Sequence, residues 1–546
     1  MKIILFGLLT SSLFFTSCAS EKKTKLVVVL VADQMRPDHF SRFSKLYSGG
    51  LKWLVDNSIS FQNTFHQHGY TATGPGHFAI GSGMYPGPAG VLGNSYFDRD
   101  LGKVVNCVED PDAAAVGGEG KGRSFSRYDN KVVGDLLKEV YPKSKVISVA
   151  GKDRSAIMLA GNNPDLVLYY NNIDRFITSD FYTDSLPSFI DNFNNKLNLQ
   201  SYRDSLWTKL LPDSLYLKHS REDDFYGEID WYRVQHDEIN NKKIFSDEYE
   251  PTFPISFDKN HDPGQELMGT PWFDNVIIDL SKMIISEEEI GLDENPDIFF
   301  IGLSAMDYII HNYGPFSQEA MDYFIRLDIQ LDELFKHIDN EIGLENVEFV
   351  LTSDHGGLPL PEYLPRLNLS GGRINRENLN EAFSWIDDEI TKQYDKNLYY
   401  RDWSNFYFFH EKLKKKEFLP EDLEKIIKKY LMMVDGVKNV ITKKEILSSN
   451  ETDHISLRLK NMIHVKKSAD VFVLLEPGYL YRNPHGTSHG SPYVYDAHVP
   501  LLFAKKERGK NVISSHTETV DIAPTILNLL NIKLNNSFDG KILPIR

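Results

Sequence analysis

Continuous apolar runs that end in polar residues recur along the chain. Runs at Leu26–Ala32, Val146–Ala150, 298–303 and 347–351 are rich in β-branched or aromatic residues. Such runs are typical of strands that are buried on both faces, as in a parallel sheet. Between the runs lie helical patterns such as the one at 319–338. This alternation predicts an α/β fold with a mostly parallel central sheet.

Two long stretches interrupt the alternation and predict insertions. Residues from about 172 to 290 are polar, aromatic-rich and irregular, and residues from about 360 to 465 form the second insertion. Further predicted elements are strands at 470–475 and 499–503 and helices at 423–434 and 522–530. We therefore expect one catalytic domain over residues 26–546 that carries two inserted cap segments.

The first residues predict export rather than structure. Residues 1–17 combine an early Lys2 with a short apolar run, which is too short for a membrane span and is typical of a secretory signal. Small residues precede Cys18, as in a bacterial lipoprotein signal, so we expect a lipid-anchored protein of the periplasm or cell envelope. Residues 18–25 would then form a tether. Plain secretion without a lipid is the alternative.

The net charge and the number of cysteines argue against some classes of function and of metal site. The 546 residues carry 60 basic and 77 acidic side chains, a net charge of −17, which argues against a specific nucleic-acid partner but leaves room for a local cationic pocket. Cys18 and Cys107 are the two cysteines, so no disulfide framework or four-cysteine zinc site can form. We interpret Cys107 as a structural thiol.

Acidic and imidazole side chains follow the predicted strands. In open α/β sheets, ligands bind beyond the carboxyl ends of the strands. The candidate metal ligands are Asp33, Asp307, His311, Asp354, His355 and His489. Carboxylate and imidazole ligands suit zinc, and six of them fit two ions better than one. An Asp and His pair on a helix is more often a surface pair, and a histidine in a glycine loop is usually an ordinary loop residue. The prediction therefore depends on the combination and order of all these residues along the chain.

A threonine near a predicted helix start is the candidate nucleophile. The sequence at residues 71–77, TATGPGH, predicts a helix that begins around Pro75. A hydroxyl group there would meet free backbone N–H groups and the positive end of the helix dipole, which favour a phosphoryl group. An ordinary N-cap threonine is the plainer interpretation of this segment alone.

Taken together, these residues resemble the alkaline phosphatase superfamily, and within it the phosphate-irrepressible (PafA-type) bacterial alkaline phosphatases. The resemblance runs in order from about residue 26 to the C-terminus. It is carried by VADQMRPD at 31–38, TGPGH at 73–77, GN at 93–94, KDR at 152–154, DYIIHNYGP at 307–315, SDHG at 353–356, GTSH at 486–489 and DIAPT at 521–525.

The resemblance implies a three-layer α/β/α fold, two Zn²⁺ per chain, and hydrolysis of small-molecule phosphate monoesters through a phosphothreonine. It implies one zinc at Asp33, Thr73, Asp354 and His355, with Thr73 as the nucleophile, and the other at Asp307, His311 and His489. It also implies that Asn94, Lys152 and Arg154 contact the non-bridging phosphate oxygens. A lysine and an arginine two residues apart suit the extra charged oxygen of a monoester dianion.

Several alternatives stay open at this stage. Gly74 and Pro75 leave the helix entry uncertain, and Thr71 competes with Thr73 as the nucleophile. A phosphodiesterase or nucleotide pyrophosphatase on the same scaffold is the main alternative, although such relatives generally lack the lysine–arginine pair. A sulfatase would need a Cys- or Ser-x-Pro-x-Arg motif, and neither Cys107 nor the Thr73 region supplies one. Loss of a metal ligand would support a surface lipoprotein that only binds, but no expected ligand position is missing. We find no motif for a third metal, and the sequence leaves the oligomeric state open.

Overall fold

The computed structural model describes residues 23–228, 235–237, 242–244, 252–257, 261–393, 397–481, 485–533 and 537–545. The predicted signal segment and Cys18 lie outside the described residues, so export and lipidation stay predictions. In the described part of the chain, no helix combines the length and the apolar character that a membrane span requires.

The strands are as follows in chain order: β1 (Leu26–Ala32), β2 (Ser58–Phe65), β3 (Ser95–Asp98), β4 (Lys103–Asn106), β5 (Ala115–Val116), β6 (Val146–Ala150), β7 (Leu166–Tyr170), β8 (Phe176–Ser179), β9 (Leu206–Trp207), β10 (Gln235–Asp237), β11 (Lys242–Ile244), β12 (Ile255–Ser256), β13 (Asp297–Leu303), β14 (Val347–Thr352), β15 (Gly372–Arg373), β16 (Tyr399–Arg401), β17 (Asn405–Phe408), β18 (Val437–Thr442), β19 (Val471–Leu475), β20 (Tyr479–Leu480), β21 (His498–Val499), β22 (Leu501–Ala504) and β23 (Asn511–Glu518).

The α-helices are α1 (Asp38–Phe43), α2 (Gly50–Asp56), α3 (Thr73–Ser82), α4 (Pro86–Ala89), α5 (Val133–Val140), α6 (Asp153–Ala160), α7 (Ser188–Lys196), α8 (Leu199–Arg203), α9 (Asp213–His219), α10 (Pro263–Met268), α11 (Pro271–Glu287), α12 (Ala305–Tyr313), α13 (Gln318–Glu341), α14 (Arg376–Gln393), α15 (His410–Lys415), α16 (Pro420–Leu431), α17 (Lys443–Ser448), α18 (His454–Lys460), α19 (Val494–Ala497) and α20 (Ile522–Leu529). Short 3₁₀ helices lie at Leu344–Asn346, Pro361–Leu367 and Thr519–Asp521.

The large central sheet has the order β21-β2-β22-β14-β1-β13-β6-β7-β8-β5, and β23 pairs with β2. Its middle strands, from β14 to β7, are parallel to one another. Antiparallel pairing begins at both ends of this block, where β22 joins β14 and β8 joins β7. The predicted mostly parallel α/β fold is confirmed.

The two faces of β1 show why this strand is apolar throughout. Leu26, Val28 and Leu30 pack with residues of α2, α11 and α13 in one core. Val27 and its neighbours on the opposite face pack with α5 and α20 in a second core. Because successive side chains of a strand point to opposite faces, a strand between two helical layers must be apolar at every position.

A smaller antiparallel sheet, which we call the cap sheet, lies outside the central sheet. Its order is β16-β17-β19-β18, and helices α14 and α16 pack on it through a core of their own. The predicted strand at 470–475 forms as β19, but it pairs within the cap sheet. The inserted segment therefore extends beyond the predicted end near residue 465.

Two further boundaries differ from the sequence prediction. Helix α11 lies inside the predicted insertion at 172–290, yet it packs in the core beneath the central sheet. The predicted strand at 499–503 divides into β21 and β22 around Pro500. Proline lacks an N–H group and cannot donate to a sheet ladder, which explains the division.

Candidate active site

The carboxyl ends of four neighbouring parallel strands carry the predicted site residues. In the order β14, β1, β13 and β6, these strands end just before Asp354, Asp33, helix α12 and Lys152. Because parallel strands end at the same edge, residues that are far apart in sequence come together there.

The first cluster consists of Asp33, Asp354 and His355, which are at most 1% exposed. His355 Nε2 lies 3.4 Å from Asp33 Oδ1 and 3.5 Å from Asp354 Oδ2. Among the described residues, none of these three atoms has a hydrogen-bond partner. Three buried polar atoms therefore lie close together, and no hydrogen bond forms between them.

The second cluster consists of Asp307, His311 and His489. Helix α12 carries Asp307 and His311 one turn apart, so both project from the same face. Asp307 Oδ1 lies 3.3 Å from His311 Nε2 and 3.6 Å from His489 Nε2. The His355 and His489 rings stack with centroids 3.6 Å apart, which brings the two clusters side by side.

Backbone carbonyl groups fix the orientation of all three imidazoles. His311 Nδ1 donates to Thr487 O at 2.9 Å, His489 Nδ1 to Thr71 O at 2.8 Å, and His355 Nδ1 to Gly356 O at 2.9 Å. A carbonyl oxygen only accepts, so Nδ1 carries the proton and Nε2 presents its lone pair.

Burial keeps two of these imidazoles neutral. It lowers the pKa of His355 to about 4 and that of His489 to about 3, although nearby carboxylates act in the opposite direction. A neutral Nε2 lone pair that faces carboxylate oxygens is repelled by them, because every atom involved is an acceptor. A cation between them removes the repulsion, and carboxylate with imidazole is a zinc-type ligand set. Both clusters therefore fit a metal ion.

Lys152 joins the two clusters. Its Nζ atom donates to Asp33 Oδ2 and to Asp307 Oδ2, both at 2.6 Å. Burial lowers the pKa of Lys152, but the carboxylates of Asp307 and Asp33 outweigh this effect and hold the pKa above its usual value. An ammonium group has three N–H donors, so one remains after these two contacts.

The charges around the two carboxyl groups that share Lys152 shift their pKa values in opposite directions. Burial and the nearby Asp354 raise the pKa of Asp33 well above its usual range. Burial would also raise the pKa of Asp307, but nearby positive charge, including the ammonium of Lys152, holds it well below that range. The second cluster is therefore the more favourable environment for a carboxylate.

The predicted nucleophile Thr73 is the first residue of helix α3. The sequence predicted a start near Pro75, but Pro75 lies within the first turn, where backbone N–H groups have no partner in the helix and proline costs little. His77 makes one contact within the first turn of α3 and one contact from α3 to the first cluster. His77 Nδ1 donates to Thr73 O at 2.8 Å and lies 3.2 Å from Asp354 Oδ2.

The predicted phosphate contacts lie beside this helix start. Asn94 Oδ1 accepts from Gly74 N at 2.7 Å, which leaves its amide N–H₂ group to donate elsewhere. Arg154 contacts Asp153 through Nη1 at 3.5 Å, and its Nε has no partner among the described residues. Cys107 lies beneath Gly74, and burial raises its pKa to about 12, in keeping with a structural thiol.

Two residues that hold the site together could not be predicted from the sequence. The buried Asp274 of α11 accepts from the N–H groups of Ser304 and Ala305 at 2.8 and 3.2 Å, and so caps the helix that carries Asp307. The buried Asp496 accepts from Ser491 N at 2.9 Å and thereby fixes the loop of His489. Neither residue belongs to a recognisable motif, because each acts through backbone groups that are distant in sequence.

Comparison with known proteins shows which family the chain belongs to. The model of the type I phosphodiesterase/nucleotide pyrophosphatase family matches residues 27–492. The chain belongs to this family. It is 29% identical to alkaline phosphatase PhoV of Synechococcus elongatus over 100% of this chain and 99% of that protein.

A second relative has a solved structure. The chain is 28% identical to alkaline phosphatase PafA of Elizabethkingia meningoseptica over 95% of this chain and 94% of that protein. The crystal structure of wild-type PafA superposes with a TM-score of 0.84 over 95% of this chain and 98% of that one. The predicted resemblance to the alkaline phosphatases, and with it the prediction of an enzyme of this kind, is confirmed.

Proposed function

We propose that this protein is a two-zinc phosphomonoesterase that acts through a covalent phosphothreonine. The full-length similarity to alkaline phosphatases supports hydrolysis of phosphate monoesters. One observation supports the two metals and the phosphothreonine in particular. Two clusters of carboxylate and imidazole acceptors share Lys152 at the edge of the sheet where helix α3 begins.

The proposed reaction has two displacements. Thr73 Oγ forms a bond to phosphorus while the ester P–O bond breaks, and the alcohol leaves with a proton. Water then attacks phosphorus, the bond to Oγ breaks, and phosphate is released. The remaining N–H of Lys152, the amide of Asn94 and the guanidinium of Arg154 would donate to the non-bridging oxygens as their charge develops.

Two metal ions fit the donor sets. Asp33, Asp354 and His355, together with Thr73, would hold one zinc, and Asp307, His311 and His489 the other. When bound, such ions supply positive charge that lowers the pKa of a nucleophilic hydroxyl and stabilises the attacking and leaving oxygens. The number and identity of the metals are part of the proposal.

Phosphodiester hydrolysis is the second candidate, and the name of the matching family favours it. Lys152 and Arg154 argue for monoesters. A monoester dianion presents three charged non-bridging oxygens, whereas a diester replaces one of them with a neutral ester group. Two cationic side chains next to the phosphoryl position therefore stabilise the monoester more strongly.

The test compares kcat/KM for matched aryl phosphate monoester, diester and sulfate substrates. We expect the monoester to be preferred, and Arg154→Ala and Lys152→Ala to lower its kcat/KM roughly 30- to 1000-fold. The same changes should cost diester hydrolysis much less. Lys131→Ala removes an exposed lysine and serves as the charge-matched control. Equal losses on both esters, with the metal content intact, would refute the assigned roles.

We also propose that the protein works outside the cytoplasm, attached to a membrane through lipid on Cys18. The support is the signal-like segment that precedes this cysteine. Cys18→Ala should release the protein from the membrane fraction or leave an unprocessed precursor. Unchanged fractionation and mass would instead indicate an ordinary secretory signal.

A further inference from the structure

A cavity of about 230 Å³ lies between the loops of the candidate active site and the cap sheet. Its wall includes Tyr70, which precedes the predicted nucleophile by three residues. It also includes Ser95 and Gly490, which directly follow Asn94 and His489. Loops that carry candidate site residues therefore also form part of the cavity wall.

The ring of Tyr70 forms the boundary between the cavity and the active-site loops. A Cβ atom on Gly490 would lie 3.1 Å from this ring, and one on Gly93 would lie 3.3 Å from it. Tyr70 therefore packs between the loop of His489 and the loop of Asn94. Its side chain is 40% exposed, so a ligand can reach it from solvent.

The chemistry of the cavity wall favours a planar apolar group. Its lining is mostly apolar, with aliphatic side chains and five aromatic ones, namely Tyr70, Tyr96, Trp403, Tyr407 and Phe472. Aromatic rings pack well against other rings in offset or edge-on arrangements. An apolar cavity of about 150 Å³ is large enough to bind benzene, so this cavity has room for a ring system.

The charge of the cavity wall disfavours an anion. Among the described residues that line the cavity, Asp402 is the only one with a charged side chain. Its carboxylate accepts from the N–H groups of Ser404 and Asn405, both at 2.7 Å, which holds it in place. A fixed negative charge without a cation repels a second anion. The cavity suits a neutral group better than a phosphate.

We propose that this cavity is a leaving-group subsite, which takes the neutral aromatic alcohol of a phosphate monoester while the phosphoryl group lies at Thr73. This inference rests on the proposed function and adds a substrate class to it. A ring buried in the cavity stabilises both the bound ester and the transition state. The subsite therefore raises kcat/KM for esters whose alcohol carries an aromatic ring.

The test uses two esters of similar chemical reactivity, 2-phenylethyl phosphate and n-propyl phosphate. Both are alkyl esters, so their ratio of kcat/KM reports binding of the ring. Leu474→Trp fills the cavity, and Trp403→Ala removes one of its walls. We expect the ratio to fall about tenfold or more in Leu474→Trp and about fivefold in Trp403→Ala. Trp385→Ala, at an exposed cap residue outside the cavity, should keep the wild-type ratio.

Binding of 2-phenylethanol, followed by saturation-transfer NMR, separates this inference from the proposed function. We expect saturation transfer to the ring protons with the wild type and its loss with Leu474→Trp. If neither ester is hydrolysed but this binding pattern holds, the proposed function fails while the aromatic site stands. The subsite is refuted if the ester ratio is the same in all variants, or if Leu474→Trp binds the alcohol as well as the wild type does.

Discussion

At the residue scale, the absence of a side chain at one glycine determines how closely helix α3, which carries the proposed nucleophile, approaches the first cluster. A Cβ atom on Gly76 would lie 2.1 Å from the carbonyl oxygen of Asp354, so α3 can pack there only with glycine at this position. The neighbouring His77 then reaches the carboxylate of Asp354. Together these two residues set the position of Thr73 relative to the proposed metal site.

The first prediction concerns the nucleophile itself. Thr73→Ala should abolish the covalent intermediate and lower kcat roughly 1000-fold or more, because the attacking oxygen is removed. Thr73→Ser keeps the hydroxyl group and should retain substantial activity. Quenched turnover of labelled substrate, followed by peptide mapping, should locate the phosphate on Thr73.

Thr71→Ala is the matched control for this prediction. The Thr71 hydroxyl donates to Ser491 O at 2.8 Å, so it is already engaged in holding a loop. We expect this variant still to form the labelled intermediate at Thr73. Label on Thr71 in the wild type would show that the nucleophile was assigned to the wrong threonine.

The sequence predicted which acidic and imidazole side chains would lie together, but not the contacts that hold them there. Asp33, Asp354 and His355 could be proposed because they directly follow strand-like runs and match known motifs. The sharing of Lys152 between two carboxylates could not, because it depends on a side-chain position at the edge of the sheet. The left-handed backbone of Gln34, with φ of 63°, leaves no signal in the sequence either.

At the scale of elements, helix α12 depends on its neighbours for the position of Asp307 and His311, its proposed metal ligands. Asp274 of α11 accepts from the first N–H groups of α12 and also from Tyr323 Oη of α13, at 2.6 Å. Three helices therefore meet at one buried carboxylate. This arrangement fixes the turn that carries Asp307.

The second prediction concerns this carboxylate. Asp274→Ala should lower the free energy of unfolding by about 1–3 kcal/mol, because buried N–H groups lose their acceptor. It should also weaken zinc binding at the cluster of Asp307 and His311 by roughly 10- to 100-fold, as expected for a group that orients metal ligands. Denaturant titration and competition with a metal indicator measure the two effects.

Tyr323→Phe is the matched control for Asp274→Ala. It removes one hydrogen bond to Asp274 but keeps both bonds from Asp274 to α12. We expect it to cost about 0.5–1.5 kcal/mol of stability and to leave the zinc affinity near that of the wild type. If Asp274→Ala loses stability but binds zinc normally, its role is structural and the positioning argument is wrong.

At the scale of the whole molecule, the central sheet was predictable and the cap was not. Strand β1 is apolar throughout and β13 is apolar from its second residue on, because both lie between two helical layers, and this is a strong signal. Strand β19 has a similar apolar run, yet it pairs with β17 and β18 in the cap sheet. Sequence shows that such a strand forms, but its partners depend on contacts between distant segments.

The third prediction concerns the stability of the whole molecule. The described core buries the carboxylates of Asp33, Asp307 and Asp354 at one edge of the sheet, with Lys152 between two of them. Bound zinc would offset their mutual repulsion and would bind the folded chain in preference to the unfolded one. Removing zinc with a chelator should therefore lower the unfolding temperature, and the metal should contribute about 2.7 kcal/mol when its concentration is 100 times Kd.

Differential scanning calorimetry with and without chelator measures this effect directly and requires no turnover. Zinc should restore the unfolding temperature, whereas magnesium should not, because imidazole ligands favour zinc. In the variant Asp33→Asn/Asp307→Asn, which lacks a carboxylate in each cluster, the chelator should have much less effect. An unfolding temperature that is the same with and without chelator in the wild type, after elemental analysis has shown that metal was removed, would contradict the coupling of both clusters to the stability of the fold.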